Sequence, residues 1–434
     1  MGQGPRIYNL FPLLAGSLRD WEAQLPRIAG LGFDWVFLNP FHYPGFSGSL
    51  YAVKDYYRLH PLFQGHSGKS ADELLAEFLR QAEEQGLNVM MDLVINHTAK
   101  DALLVEQHPE WFAREADGST RSPFALDPDH PHDVSRRTVW GDLAEIDYDH
   151  PADPDGLIAY WKDLVLHYTG LGFHGFRCDA AYKVPGAVWA RIIEAARALN
   201  PEVHFFAETL GCQPPEVAQL HAAGFDYLFN SAKWWDFRAD WLLQQYETYR
   251  RIAPSVAFPE SHDTERLAAE SGGDERVSRL YYLFAAFFSA GVMMPIGFEY
   301  GFRRKLDVVK TRPEDWEETQ FDLGPFVRAV NGMKSATPAL NEEGRQTRFT
   351  PADSPLVGLL RHGERSPGRA AALINRDPAH GHDFAVHALA EAMRSGVADI
   401  REITPQNPHG PLSERGMIHL APLEMRVFHV EAAE

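Results

Sequence analysis

Through the first two thirds of the chain, apolar positions keep one rhythm: a short run, a turn, a stripe at helical spacing, then the next run. Alternating or continuous short runs bounded by turn residues read as strands, and stripes recurring every three to four residues read as helices. Strands are predicted at residues 6–13, 35–39, 89–94, 174–178, 203–207, 227–229, 256–258 and 292–296. Residues 18–31 place Trp21, Leu25, Ile28 and Leu31 on one helical stripe. Residues 70–85 open on capping residues and continue with Leu74, Leu75, Phe78, Leu79 and Ala82. Further helices are predicted at 157–168 and 188–199. Strands alternating with helices imply parallel strands joined by right-handed crossovers, and eight such strands close a (β/α)8 TIM barrel. An open doubly wound sheet is the alternative, but no glycine-rich dinucleotide fingerprint accompanies it.

The rhythm breaks twice. Residues 98–150, between the third and fourth strands, are rich in Pro, Asp and His and weakly periodic, and a loop of that length in a compact domain is usually functional. From residue 346 the pattern changes to short alternating runs, predicting a C-terminal antiparallel β-sandwich. The expected division is a barrel of residues 1–97 and 151–345, an inserted loop domain at 98–150 and a β domain at 346–434.

The 434-residue chain has room for a large core plus a smaller one, and its formal charge of −19 disfavours phosphate backbones and anionic lipid. No nucleic-acid or membrane partner is therefore expected. Two cysteines, Cys178 and Cys212, form no disulfide framework and fit a reducing compartment. The N-terminal residues carry no apolar signal core. The uncharged stretch 280–298 contains Gly291, Pro295 and Gly297, so it reads as a buried helix running into a strand, not a membrane span. A cytoplasmic chain is expected.

Chemistry concentrates at predicted strand ends, where barrel enzymes place their reactive groups. The third strand ends in Asp92, Asn96 and His97, the fourth in Arg177-Cys178-Asp179, the fifth in Glu208, the seventh in Ser261-His262-Asp263. Period-two alternation puts Arg177 and Asp179 on one face, where the guanidinium keeps the carboxylate ionised, as a carboxylate nucleophile requires. Each residue alone has a bland reading: a strand-end ion pair, a surface acid, a core histidine satisfied by carbonyls. Their joint placement favours chemistry.

These stretches, Asp92-Leu-Val-Ile-Asn-His97, Gly175-Phe-Arg-Cys-Asp179, Phe206-Ala-Glu208 and Ser261-His-Asp263, resemble the four ordered motifs of the α-amylase family, glycoside hydrolase family 13. Residues 51–56, 140–143 and 291–299 resemble further family segments, so the likeness covers roughly residues 5–335. The resemblance implies a retaining α-glycosidase acting on α-glucans or malto-oligosaccharides by hydrolysis or transglycosylation. It assigns Asp179 as nucleophile, Glu208 as general acid/base and Asp263 as transition-state stabiliser. Arg177 would orient Asp179, His97 and His262 would hold sugar hydroxyls, and Tyr51 would stack on the sugar ring. Asp92 reads as mainly architectural. A retaining enzyme needs one ionised and one protonated carboxyl about 5 Å apart, and burial would raise Glu208.

Part of the chain, from His108-Pro-Glu-Trp111 to Glu299-Tyr300, is similar to maltosyltransferases that use maltose 1-phosphate. In those enzymes an asparagine that helps bind phosphate follows the nucleophile; Ala180 stands here, while Lys183 is left to meet an anion. This chain also keeps the Asn96-His97 and His262-Asp263 pairs that they lack. Ala52, after the stacking tyrosine, removes the aspartate with which many exo-acting α-glucosidases grip a chain end. No cofactor is required by this reading; a structural calcium through Asn96 is the one metal the family suggests, though its usual lysine-histidine pair is absent (Lys183 precedes Val184).

Overall fold

The computed structural model describes residues 3–126, 133, 135–406, 412–413 and 415–431. Eight parallel strands form a closed barrel: β1 (Arg6–Asn9), β2 (Trp35–Leu38), β3 (Asn88–Leu93), β4 (Gly175–Cys178), β5 (His204–Glu208), β6 (Tyr227–Phe229), β7 (Ser255–Ala257) and β8 (Gly291–Pro295). Around the ring they run in chain order, β1 pairing with both β2 and β8, which excludes the open sheet. Seven of the eight strands fall where the apolar pattern puts them. The first is shorter, because Pro12 opens a helical turn at Pro12–Ala15 and the apolar residues before it turn out of the strand.

Burial follows the two periodicities. The helix Ala71–Glu84 buries Leu75, Phe78, Leu79 and Ala82. Its start is fixed by a reciprocal cap: Ser70 Oγ accepts from the Glu73 N–H at 3.2 Å, and Glu73 Oε2 accepts from the Ser70 N–H at 2.7 Å. Inside the barrel, Ile7, Trp35, Phe37, Met90, Phe206, Phe229, Val256 and Met293 form an apolar plug. Gly175 belongs to this layer because a Cβ there would lie 2.9 Å from the His204 carbonyl and 3.1 Å from the Trp35 ring. On the same face, further along the strands, stand Asn9, Asp92 and Arg177, all buried. The barrel is thus a hydrophobic plug capped by polar groups at its C-terminal mouth.

The insertion is not featureless. His97–Ala99 pairs with Leu143–Glu145, Phe124–Leu126 pairs with Arg137–Val139, and a short helix spans Leu103–Gln107. Residues 280–298 split as expected into the buried end of helix Glu275–Phe288 and strand β8, and among the described residues no helix is long and apolar enough to cross a membrane.

The C-terminal strands form a five-stranded antiparallel sheet, ordered Gln346–Arg348, Leu356–His362, Arg369–Asn375, Met425–Val430, Arg401–Glu402. One face (Val357, Leu359, Ala370, Ala372, Ile374, Val427) joins the core of the barrel. The other is covered by the ribbon His382–Ala385/Met417–Leu420 and the helix Val386–Met393, so helix and ribbon supply the layer opposite the sheet. That helix escaped the sequence reading because its apolar stripe sits among short runs that also fit strands.

Candidate active site

Each strand end lifts one polar group to the mouth, and Arg177 ties them together. Its Nη1 donates to both oxygens of Asp92 at 2.9 Å and to Asp179 Oδ1 at 2.7 Å. Its Nη2 lies 3.0 Å from Glu208 Oε1 and 4.0 Å from Asp263 Oδ2. Four carboxyls from β3, β4, β5 and the loop after β7 therefore face one guanidinium. One positive charge does not balance four negative ones in a buried setting, so at least one acid is driven to hold its proton.

The acid pushed highest is Glu208, with buried Asp92 next, raised to about 7. Burial pushes the Glu208 carboxyl up to about 8, and Asp179 and Asp263 add to the rise while Arg177 opposes it. The expected protonated member is thus in place, with Phe229 and Leu210 beside it in the cleft wall. Its Oε2 accepts the Ala180 N–H at 2.7 Å. That donor is available because Ala180 adopts a left-handed backbone, φ 39° and ψ 49°, a costly conformation for a non-glycine residue of the kind that gathers at functional sites. Asp179 is oriented from the other side by Asn96, whose Nδ2 donates to its Oδ2 and to its backbone carbonyl, both at 3.0 Å.

Tyr51 reaches the same centre from the loop after β2. Its hydroxyl lies 2.6 Å from Asp92 Oδ2, 2.7 Å from His262 Nε2 and 3.0 Å from Asn39 Nδ2. Its ring runs parallel to His262, centroids 5.7 Å apart. His262 Nε2 is also 3.1 Å from Asp263 Oδ2, while its buried Nδ1 has no partner among the described residues. His97 Nε2 faces the Tyr51 carbonyl at 3.2 Å, and its Nδ1 meets Asn96 Oδ1. Burial lowers both histidines from the ordinary value, which favours neutral rings.

Of the residues singled out in the sequence, Asp179, Glu208, Asp263, Arg177, Tyr51 and His262 converge, with His97 and Asn96 beside them. Lys183 shares no hydrogen bond or ion pair with them among the described residues. It is exposed on the turn after β4, its ammonium 5.5 Å from the Tyr182 ring centroid. Asn96 turns its amide oxygen to His97, and among the described residues no group of three or more His, Cys, Asp or Glu is arranged to hold a metal ion. Asn39 and the Ala180 N–H were missed. Asn39 carried the signal used for the others, a polar residue closing an apolar strand; the amide carried none, since its role comes from backbone conformation.

Comparison with known proteins agrees with this geometry. The family profile described as glycogen debranching enzyme, glucanotransferase domain, matches residues 6–117. An alpha-1,4-glucan:maltose-1-phosphate maltosyltransferase of Burkholderia pseudomallei is 29% identical over 89% of this chain and 34% of its own length. Alpha-amylase MalA of Haloarcula japonica is 23% identical over 85% of this chain and 54% of its own. This chain thus spans about a third to a half of these relatives. The crystal structure of an alpha-amylase from Lactobacillus plantarum superposes with a TM-score of 0.77 over 98% of both chains at 20% identity, a likeness of fold. Motifs in order, a closed barrel with their acids at one mouth, and these relatives together make the chain similar to the α-amylase family, with partial resemblance to its maltose 1-phosphate maltosyltransferase branch.

Proposed function

We propose that the chain is a retaining enzyme that cleaves α-glucosidic bonds of α-glucans or malto-oligosaccharides by double displacement, passing the glycosyl unit to water or to another sugar. The observation that carries this reading is the single guanidinium shared by Asp179 and Glu208, at 2.7 and 3.0 Å. It holds Asp179 close to the raised carboxyl of Glu208, a pairing of nucleophile and acid that a retaining mechanism uses.

In the first step Asp179 Oδ attacks the anomeric carbon while Glu208 gives its proton to the departing glycosidic oxygen. A covalent glycosyl ester of Asp179 results. In the second step Glu208, now a carboxylate, takes a proton from the incoming hydroxyl as its oxygen attacks the same carbon and Asp179 leaves. Asp263 stabilises the positive charge that builds on the sugar ring between these states. Neutral His97 and His262 hold ring hydroxyls, and Tyr51 supplies the aromatic face.

A second reading, transfer of maltosyl units from maltose 1-phosphate, is favoured by the relatives of that name. Against it stands Ala180 in place of the phosphate-binding asparagine. Maltohexaose incubated with and without maltose 1-phosphate separates the two, with Asp179→Asn as the blank. Shortened or redistributed chains without the phosphate donor establish the main reading; extension only with the donor overturns it.

A further inference from the structure

The stretch Ala232-Lys233-Trp234-Trp235 follows β6, and its neighbours are sunk into the protein: Ala232, Lys233 and Trp235 are 2%, 6% and 1% exposed. Trp235 packs on Phe284 and donates its indole N–H to the Ala239 carbonyl, while Lys233 is anchored on Glu270 at 3.0 Å. Trp234 between them is 51% exposed. Buried residues on both sides thus hold this large aromatic side chain at the surface.

In the ring of eight strands, β6 lies diametrically across from β2, whose following loop carries Tyr51. The segment bearing Trp234 is knitted instead to the one that follows Glu208: Thr209 Oγ1 donates to the Phe229 carbonyl at 2.7 Å, and the Gly211 N–H donates to Ser231 Oγ at 3.0 Å. The Trp234 ring edge lies 3.6 Å from where a Cβ on Gly211 would stand, an ordinary contact distance that sets the ring beside Gly211. Glu208 protonates the departing oxygen, so the departing or incoming sugar sits on the Glu208 side, and Gly211, with the Trp234 ring beside it, stands three residues after Glu208.

We propose that Trp234 is the acceptor-side platform of this site, a specificity-determining residue on which the ring of an incoming α-glucosyl unit stacks, and that it favours sugar over water as acceptor. The inference rests on the function proposed above. In the step it governs, the acceptor's hydroxyl oxygen forms a bond to the anomeric carbon of the Asp179 ester. The bond to Asp179 breaks with its electron pair on the carboxylate, and the hydroxyl proton passes to Glu208.

The test uses α-maltosyl fluoride as donor and maltotetraose as acceptor. Fluoride leaves without an acceptor-side sugar, so fluoride release reports the first step and maltosyl-extended product reports the second. Trp234→Ala is expected to lower the ratio of transfer product to fluoride released about tenfold and to raise the KM for maltotetraose, with Trp234→Phe recovering most of both. An unchanged ratio and KM in Trp234→Ala, or a wild-type protein that releases fluoride but never extends maltotetraose, overturns the platform while leaving the proposed function standing. Wild-type fluoride release no greater than that of Asp179→Asn overturns the proposed function, and the platform with it.

Discussion

At the scale of single residues, Arg177 decides most of what the site is. It is buried together with the carboxyls it serves, and burial works against its charge while Asp92 and Glu208 hold the proton on. Replacing it by lysine keeps one charge but loses the planar fork that reaches three acids at once. Arg177→Lys is therefore expected to lose about a hundredfold or more in kcat and, by leaving Asp92 buried with poorer pairing, about 3 kcal/mol of stability in denaturant unfolding. Glu208 sets a pH dependence. Its carboxyl must be protonated to act as acid and is pushed up to about 8, so kcat/KM should hold through neutrality and fall as pH rises through about 8. Glu208→Gln should remove that alkaline limb from the residual activity on a fluoride donor, which needs no proton to leave. A limb that persists in Glu208→Gln would assign it to another group. Of these residues, Arg177, Asp179 and Glu208 were legible because a period-two strand fixes which side chains share a face. Why Lys183 shares no hydrogen bond or ion pair with them was not, since three residues of 3-10 turn after β4 reorient it in a way that spacing does not encode.

At the scale of elements, strand and helix placement was legible because apolar stripes and caps are local signals. The Ser70 cap is a clean case: its partner Glu73 stands three residues on, and the helix begins at the next residue. Ser70→Ala is expected to cost about 1 kcal/mol, read as a lowered unfolding midpoint with kcat untouched, because the cap's side-chain bonds run only between Ser70 and Glu73. What failed at this scale failed for the same reason. The overlong first strand and the unrecognised helix Val386–Met393 are places where an apolar run has two readings and tertiary packing chooses. The pair Trp234 and Trp235 shows the limit most plainly: adjacent identical residues, one core and one surface, told apart only by the turn between them.

At the scale of the whole molecule, a fully buried arginine binds the C-terminal sheet to the barrel, beside a fully buried lysine that ties two barrel helices together. Lys334 donates to the carbonyls of Ala286 and Ser289 at 2.9 and 2.7 Å. Arg361, from the sheet, donates to the Phe287 carbonyl at 2.6 Å and the Ala339 carbonyl at 3.1 Å. Both thus close the C-terminal end of helix Glu275–Phe288, where the helix leaves unpaired carbonyls and partial negative charge. Calorimetry is expected to show one cooperative transition for barrel and sheet, and Arg361→Ala to lower it by about 3 kcal/mol through the carbonyls left dry and unpaired. Two separated transitions would show the sheet to be an independent unit. None of this was visible in the chain, because the partners are 74 and 22 residues from Arg361.

The left-handed backbone at Ala180 bears on how such an enzyme changes its trade. Asparagine tolerates that conformation better than alanine does, so the position beside the nucleophile stands ready for the residue that marks phosphate-donor relatives, with no loop to rebuild. Ala180→Asn should fold at least as well as the parent. Should maltose 1-phosphate then become a donor, one backbone conformation is what lets a single side chain open the site to a phosphate.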